Sequence, residues 1–254
     1  MTDAPLIEAR GIVRHFGHVQ ALQGADFSVG SGEIVALVGD NGAGKSSLVR
    51  ILSGTDRPNA GEIRVNGQAV HFAGPQDARA AGIETVYQDL ALAPDLDTAA
   101  NVFLGRELFK PGLLGRLGVL DRPRMVQRAG EAMARLGVRL RPSAEALALS
   151  GGQRQSVAVA RAAMWATSAI FMDEPTAALG LVQTKGVLDL IQRVREAGTA
   201  VVLISHNLPQ VLEIADRIVV LRLGRTVGQI ATSDITVDEL IRLMTSGATR
   251  SEAA

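Results

Sequence analysis

The sequence predicts an α/β fold with a mainly parallel sheet, an antiparallel β subdomain at one edge and a helical insert. Three observations support this fold class. Apolar runs alternate with helical patterns in the later part of the chain, as in parallel sheets that are covered by helices on both faces. Strand-like runs in residues 1–30 and in the 60s have no helix between them, which favours antiparallel pairing. Residues 89–148 lack clear strands and are rich in proline and glycine.

The predicted strands are short runs of apolar residues, bounded by polar or turn residues. They are Leu6–Ala9, Phe27–Val29, Ile34–Val38, Ile63–Val65, Thr85–Tyr87, Ala169–Met172, Val201–Ile204 and Ile218–Leu221. Helical patterns cover Ser47–Leu52, Met125–Leu136, Gln153–Trp165 and Val187–Ala197. We expect one domain over residues 1–254, with an α/β core at about 6–88 and 149–232. The helical insert is predicted at 89–148, and a C-terminal helix and tail at 233–254.

Composition limits the possible classes of protein. Hydrophobic residues make up 47% of the 254 residues and charged residues 20%, which suits a packed core rather than a disordered chain. Lys plus Arg and Asp plus Glu number 26 each, so the balance gives no electrostatic sign of nucleic-acid binding. The absence of cysteine excludes a disulfide framework. The first residues do not resemble a secretory signal, and no apolar run approaches the roughly 20 residues of a membrane span.

A glycine-rich segment after the predicted strand Ile34–Val38 fits the pattern G-x-x-x-x-G-K-[ST]. Such a loop turns successive backbone N–H groups towards phosphate oxygens, and the following helix N-terminus adds positive potential. The lysine then reaches the β- and γ-phosphates, and the serine hydroxyl can bind Mg²⁺. The alternative is a glycine-rich turn with a solvated lysine. The residues concerned are Gly39, Asp40, Asn41, Gly42, Ala43, Gly44, Lys45 and Ser46, with Ser47 beside them.

Two acidic residues follow the predicted strand Ala169–Met172. Ligands of α/β proteins lie at the carboxyl ends of parallel strands. Asp173 is therefore a candidate to hold Mg²⁺, and Glu174 to orient and polarise an attacking water. The alternative is a pair of solvated acids at a strand end.

Leu149-Ser150-Gly151-Gly152-Gln153 resembles the LSGGQ signature of the ATP-binding cassette (ABC) family. It lies between the phosphate loop and the acidic pair, as it does in that family. Gln88 stands where the family has its Q-loop glutamine, and His206 where it has the switch histidine. The resemblance covers about residues 6–230 and implies an ABC-type P-loop NTPase fold.

The resemblance also implies an ATPase that uses ATP and Mg²⁺. Its catalytic residues would be Glu174, His206, Lys45 and Gln88, and its Mg²⁺ ligands Ser46, Gln88 and Asp173. Gln88 would sense the metal or the γ-phosphate, and His206 would contact the γ-phosphate. The nucleotide would also contact Phe16 and the signature residues Ser150, Gly151, Gly152 and Gln153.

Ser150 is a favourable N-cap for a helix that begins near Gly152. The small residues after it leave backbone N–H groups open to an anion, which in the family is the γ-phosphate held by the other subunit. A homodimer is therefore implied. The alternative is an ordinary serine-capped helix.

Two positions depart from the wider family. Gly180 replaces the aspartate that often ends the loop after the acidic pair, so a contact made by that carboxylate across the dimer is in doubt. Phe16 replaces a frequent tyrosine at the adenine-stacking position; it keeps the aromatic face, although it could equally be a core residue.

Asp40–Gly44, Ala100–Glu107, Pro175–Gly180 and Ser205–Pro209 resemble the bacterial monosaccharide-import branch, particularly its single-cassette, fructose-type members. This implies import of a simple sugar such as fructose, ribose or xylose, with permease subunits and, indirectly, a periplasmic sugar-binding protein as partners. Location would be the cytoplasmic face of the inner membrane. The alternatives are an ABC ATPase acting on nucleic acid or ribosomes, and an exporter subunit; the neutral charge balance disfavours nucleic acid.

Overall fold

A computed structural model describes residues 4–247, so part of the predicted tail, residues 248–254, lies outside the described residues. Internal contacts divide the chain into two units. The first contains the described residues up to Thr85, together with Ala166–Pro175 and those from Val194 onwards. The second contains Val86–Trp165 and Thr176–Arg193, and so includes the whole predicted insert.

The structure contains strands and helices in the alternation that the sequence predicts. The strands are β1 Ile7–Phe16, β2 Val19–Val29, β3 Ile34–Val38, β4 Ala60–Val65, β5 Gln68–Val70, β6 Ile83–Val86, β7 Ala169–Asp173, β8 Ala200–Ile204, β9 Arg217–Arg222 and β10 Arg225–Ala231. The helices are α1 Lys45–Leu52, α2 Pro75–Ala80, α3 Thr98–Val102, α4 Leu113–Arg116, α5 Arg122–Arg135, α6 Gly151–Trp165, α7 Leu181–Glu196, α8 Leu208–Ile214 and α9 Val237–Ser246.

The predicted antiparallel subdomain is a four-stranded sheet in the order β2-β1-β4-β5. Strands β1 and β2 are longer than predicted and form a hairpin in which Phe16 pairs with Val19. The prediction stopped at Ala9 because the register of β1 shifts between Ala9 and Ile12, where Gly11 has a φ of 59°. A bulge of this kind interrupts the alternation of buried and exposed residues from which strands are predicted.

A six-stranded sheet in the order β10-β9-β3-β8-β7-β6 forms the centre of the first unit. Strand β3 pairs in parallel with β8 and β9, and β7 pairs in parallel with β8. All five residues of β3 and all five of β8 are buried, as expected for strands covered on both faces. Because β3, β8 and β7 are neighbours, the loops that follow them leave the same edge of the sheet.

The second unit packs its helices around a core of its own. Phe103 is fully buried, and its ring meets that of Trp165 edge-to-face at 5.5 Å between centroids. Trp165 also donates from Nε1 to the carbonyl of Val102 at 3.0 Å, so the end of α6 is fixed against α3. Large apolar side chains remain exposed between α3 and α5, namely Phe109, Leu113, Leu114 and Leu117.

Asn101 links several backbone groups near the start of this unit. Its side chain is 0% exposed and binds four of them. Its Oδ1 accepts from the amide of Ala93 at 2.7 Å. Its Nδ2 lies 3.0–3.2 Å from the carbonyl oxygens of Ala93, Leu96 and Asp97. The three carbonyl oxygens also accept from backbone amides, so the amide of Ala93 is the group that depends on Asn101. A polar group that loses its partner away from water destabilises the fold.

We expect Asn101→Ala to lower the free energy of unfolding by about 1–3 kcal/mol, because it leaves the partly buried amide of Ala93 without its hydrogen-bond acceptor. The measurement is urea denaturation followed by circular dichroism. The control is Gln127→Ala, whose amide binds only Glu131 on the exposed surface of α5, and which should change stability by less than about 0.5 kcal/mol. Equal effects of the two substitutions would contradict this role of Asn101.

Candidate nucleotide site

The predicted phosphate loop connects β3 to α1 in a backbone conformation that requires glycine. Gly44 has a φ of 105°, and a Cβ atom there would lie 2.7 Å from the carbonyl oxygen of Ala21 in β2. Gly39 has a φ of 155°, and a Cβ there would overlap the carbonyl oxygen of Leu221 in β9. The loop is therefore enclosed by neighbouring backbone, which leaves no room for side chains at these two positions.

The turn between β9 and β10 supports the phosphate loop from one side, a contact that the sequence did not reveal. Gly224 donates its amide to the carbonyl of Ala43 at 2.9 Å and accepts from the amide of Gln23 at 2.8 Å. The turn thus links the loop to β2. Leu223, next to Gly224, has a left-handed φ of 48°. In the sequence this position is marked by an ordinary turn motif.

Lys45 begins α1 and directs its ammonium group at the loop itself. Its Nζ donates to the carbonyl of Gly39 at 2.8 Å and to that of Asp40 at 3.0 Å. Partial burial lowers the pKa of Lys45, while the negative charges of Glu174, Asp40 and Asp173 act in the opposite direction. The ammonium group is therefore held inside the loop, within the electrostatic reach of three carboxylates.

The acidic pair stands at the carboxyl end of β7. Burial raises the pKa of Asp173, the neighbouring Glu174 raises it further, and Lys45 lowers it. Glu174 has a φ of 50°, a left-handed conformation that is uncommon for a residue with a side chain. Its amide donates to the carbonyl of Ile204 at the end of β8, at 2.9 Å, which holds this turn in place.

Glu174 and His206 are brought into direct contact. Nδ1 of His206 lies 2.8 Å from Oε1 of Glu174, with the histidine side chain 79% exposed and the glutamate side chain 17% exposed. When Nδ1 donates to the carboxylate, the other ring nitrogen, Nε2, can make a hydrogen bond to a second group. The sequence predicted both residues but not their pairing, although the neighbouring positions of β7 and β8 in the sheet account for it.

Phe16 lies at the end of β1 and is 43% exposed, so the alternative of a core residue is wrong. The guanidinium carbon of Arg14 lies 4.6 Å from the centre of its ring, a cation–π contact. Arg14 is itself held by Asp56 at 2.7 Å. The guanidinium of Arg14 therefore lies over one face of the exposed Phe16 ring, a contact that was not predicted from the sequence.

The signature segment lies in the second unit, where Ser150 caps α6 as predicted. Its Oγ accepts from the amide of Gln153 at 3.3 Å, and the side chain of Gln153 accepts from the amide of Ser150 at 2.9 Å. This reciprocal pair is a capping box. Helix α6 begins at Gly151, and the residue after it is buried. A Cβ at Gly152 would lie 2.9 Å from Cβ of Gln183, so glycine permits close packing against α7.

Gln183 also organises the loop that departs from the wider family. Its Oε1 accepts from the amide of Gly180 at 3.2 Å, and Ala178 in the same loop has a left-handed φ of 58°. A side chain of α7 therefore holds the loop through the backbone amide of position 180.

Gln88 is exposed and also belongs to the second unit, just beyond β6. The two residues after Asp89 both have left-handed φ angles, 59° at Leu90 and 45° at Ala91. Arg161 of α6 donates to their carbonyl oxygens at 2.7 and 2.8 Å. This anchor was not predicted from the sequence, because an arginine in a helix is usually solvated.

A sequence model of the ABC transporter family matches residues 22–177, more than half of the chain. The chain belongs to this family. A fructose import ATP-binding protein of Rhizobium meliloti is 49% identical over 96% of this chain and 95% of that protein. A ribose import ATP-binding protein of Yersinia pestis is 42% identical over 96% of this chain and 47% of that protein, so this chain spans about half of that relative.

A solved ATP-binding cassette, a dimer in a post-hydrolysis state bound to ADP and Pi, matches this ABC ATPase with a TM-score of 0.72. The match covers 89% of this chain and 98% of the other at 24% identity, so it shows the fold alone. The predicted resemblance and fold class are confirmed, and the chain is a nucleotide-binding ATPase. Within residues 4–247 no helix is long and apolar enough to cross a bilayer, and no three acidic or histidine side chains form a metal cluster.

We expect Lys45→Ala to lower the ATPase activity by about 100-fold or more, because the phosphates lose their nearest cation. The measurement is steady-state phosphate release by the purified protein. The control is Lys185→Ala, which removes an exposed lysine of α7 and should leave the rate unchanged. A rate for Lys45→Ala within about a factor of three of the original would contradict the assignment of this loop.

Proposed function

We propose that this ABC ATPase energises the import of a monosaccharide, such as fructose, ribose or xylose, through permease subunits in the bacterial inner membrane. The observation that carries the proposal is the 49% identity to a fructose import ATP-binding protein along almost the whole of both chains. A ribose import relative supports the same substrate class. In this function the sugar is moved without chemical change, and a periplasmic binding protein and the permease select it.

In the proposed mechanism the nucleotide phosphates lie on the loop Gly39–Ser46. Backbone amides of the loop and the ammonium group of Lys45 bind the phosphate oxygens. Lys45 would then exchange its bonds to the carbonyls of Gly39 and Asp40 for bonds to phosphate. Phe16 offers an exposed ring on which the adenine stacks.

The residues present fit the expected Mg²⁺. Ser46 is exposed in the first turn of α1, and Asp173 is a partly buried carboxylate at the end of β7. Mg²⁺ typically takes one or two carboxylates together with substrate phosphates and water, which agrees with this set. When bound, the ion neutralises phosphate charge. Gln88 would complete the set by sensing the metal or the γ-phosphate.

Glu174 is the residue that we assign to water activation. The carboxylate orients and polarises a water for in-line attack on the γ-phosphate. His206 has two tasks in this proposal: its Nδ1 proton holds the carboxylate in place, and the opposite edge of the ring contacts the γ-phosphate. The 2.8 Å contact between them supports the first task.

A complete site requires two copies of the chain. In the proposed homodimer, the phosphate loop of one chain faces Ser150, Gly151, Gly152 and Gln153 of the other, head to tail about a two-fold axis. The capped N-terminus of α6 offers backbone N–H groups to the γ-phosphate. Hydrolysis removes that phosphate, weakens the bridge and lets the halves separate, which drives the permease cycle.

We place the permease contact on the second unit, in the residues Ala91–Glu107 of the insert, which follow Gln88 and contain the short helix α3. The exposed apolar side chains just beyond it, including Leu113 and Leu117, support a protein-binding surface in this part of the unit. The chain would work as a peripheral subunit at the cytoplasmic face of the membrane, held there by the permease.

We expect Glu174→Gln to slow hydrolysis by about 100-fold or more and to trap an ATP-bound dimer, because water activation is lost while phosphate binding remains. The measurement is light scattering after gel filtration in ATP and Mg²⁺. In the same background, Ser150→Arg should abolish the dimer, because its bulk blocks the γ-phosphate contact. Ser143→Arg, an equal change at another exposed serine of the second unit, should leave it intact. A Glu174→Gln protein that stays monomeric beside its permease at saturating ATP would contradict the mechanism.

Transport can be tested directly in proteoliposomes that contain the ATPase, its permease and a periplasmic binding protein. With ATP on the ATPase side, labelled fructose, ribose or xylose should accumulate on that side, and Lys45→Ala should abolish the accumulation. A disaccharide and an amino acid serve as substrate controls. ATP-driven movement in the opposite direction, or movement of the control substrates alone, would exclude monosaccharide import.

A further inference from the structure

Arg161 occupies a position that connects two functional segments of the second unit. It lies in the last part of α6, the helix that Ser150 caps at its other end. Its Nη2 donates to the carbonyl of Leu90 at 2.7 Å and its Nη1 to that of Ala91 at 2.8 Å. The planar guanidinium thus binds two successive carbonyl groups with two separate nitrogen atoms, a geometry that lysine cannot reproduce.

The carbonyl groups that Arg161 binds are turned towards it by an uncommon backbone conformation. Leu90 and Ala91 both have left-handed φ angles, although neither is glycine. Two such residues in succession require support from their surroundings. The amide of Leu90 also closes a turn onto the carbonyl of Tyr87 at 3.0 Å, so Gln88 lies inside a turn whose end Arg161 fixes.

The other contacts of this region make the connection stiff. Asn101 holds both backbone groups of Ala93, just after the turn. Trp165, one helical turn beyond Arg161, is fixed to the carbonyl of Val102. Helix α3 therefore connects the end of α6 to the segment after the Gln88 turn, in addition to the direct contact made by Arg161.

We propose that Arg161 is a positioning residue that makes the Gln88 turn and the signature helix α6 move together. It would couple what Gln88 senses at its own nucleotide to the approach of Ser150 towards the nucleotide of the partner chain. The inference rests on the proposed function, because it takes the roles of Gln88 and Ser150 from there. Arg161 itself touches neither nucleotide nor reacting atoms; it acts through the carbonyls of Leu90 and Ala91.

The test compares Arg161→Ala and Arg161→Lys with Arg193→Ala. Arg193 is a matched control, because its guanidinium also donates to a backbone carbonyl of this unit, that of Leu136 at 2.8 Å, but not to the Gln88 turn. Hydrogen exchange of the amides at 88–93 reports whether the turn is released. The ratio of permease-stimulated to basal ATPase activity reports coupling, and the ATP affinity of the isolated subunit reports the phosphate loop.

Arg161→Ala should speed exchange at 88–93 and lower the stimulation ratio by about 10-fold, with ATP affinity unchanged. Arg161→Lys should retain one hydrogen bond and an intermediate ratio, and Arg193→Ala should match the original protein. If Arg161→Ala does not fold, the same measurements are made on Arg161→Lys. An unchanged ratio despite faster exchange at 88–93, or an equal loss in Arg193→Ala, would overturn the inference. If the original ATPase is not stimulated by its permease, the proposed function fails instead.

Discussion

The parallel pairing of β3, β8 and β7 is the constraint on which the candidate site of the first unit depends. Pairing of β3 with β8 and of β8 with β7 brings the carboxyl ends of three buried strands side by side. Lys45, Glu174 and His206 follow these ends, although Lys45 lies more than a hundred residues before the other two in the sequence. None of their mutual distances is set locally, so any change that shifts the strand register would separate all three.

Backbone conformation at the site is costly, and the surrounding contacts compensate for it. Glu174, Ala178, Leu90 and Ala91 all have left-handed φ angles, which cost of order 1–3 kcal/mol each at residues with a side chain. A hydrogen bond holds Glu174 to the end of β8, and Arg161 holds Leu90 and Ala91. Such residues are concentrated beside the predicted catalytic groups. The surrounding contacts therefore hold these residues in unfavourable backbone conformations without a bound ligand.

The sequence was sufficient to predict the features that depend on local pattern. Strand β3 and the loop after it were predicted with their bounds, because five successive apolar residues precede a glycine-rich motif. The Ser150 cap was predicted because serine is a favourable N-cap residue, which is also a local feature of the sequence. Strands β5 and β10 were missed, because β5 has three residues and the largely polar β10 is an edge strand without clear alternation. The Glu174–His206 pair and the Arg161 anchor were missed because they join residues far apart in the chain.

The directions of the pKa shifts at Lys45 and Asp173 agree with a site that binds phosphate and a divalent cation together. Burial lowers the pKa of Lys45 and raises that of Asp173, so in each case the surroundings work against the charged form. A phosphate beside Lys45 favours its protonated form, and Mg²⁺ beside Asp173 favours its ionised form. Phosphate without the cation would stabilise Lys45 but add repulsion at Asp173 and Glu174. In the proposed function this asymmetry favours the Mg²⁺ complex of the nucleotide over the nucleotide alone.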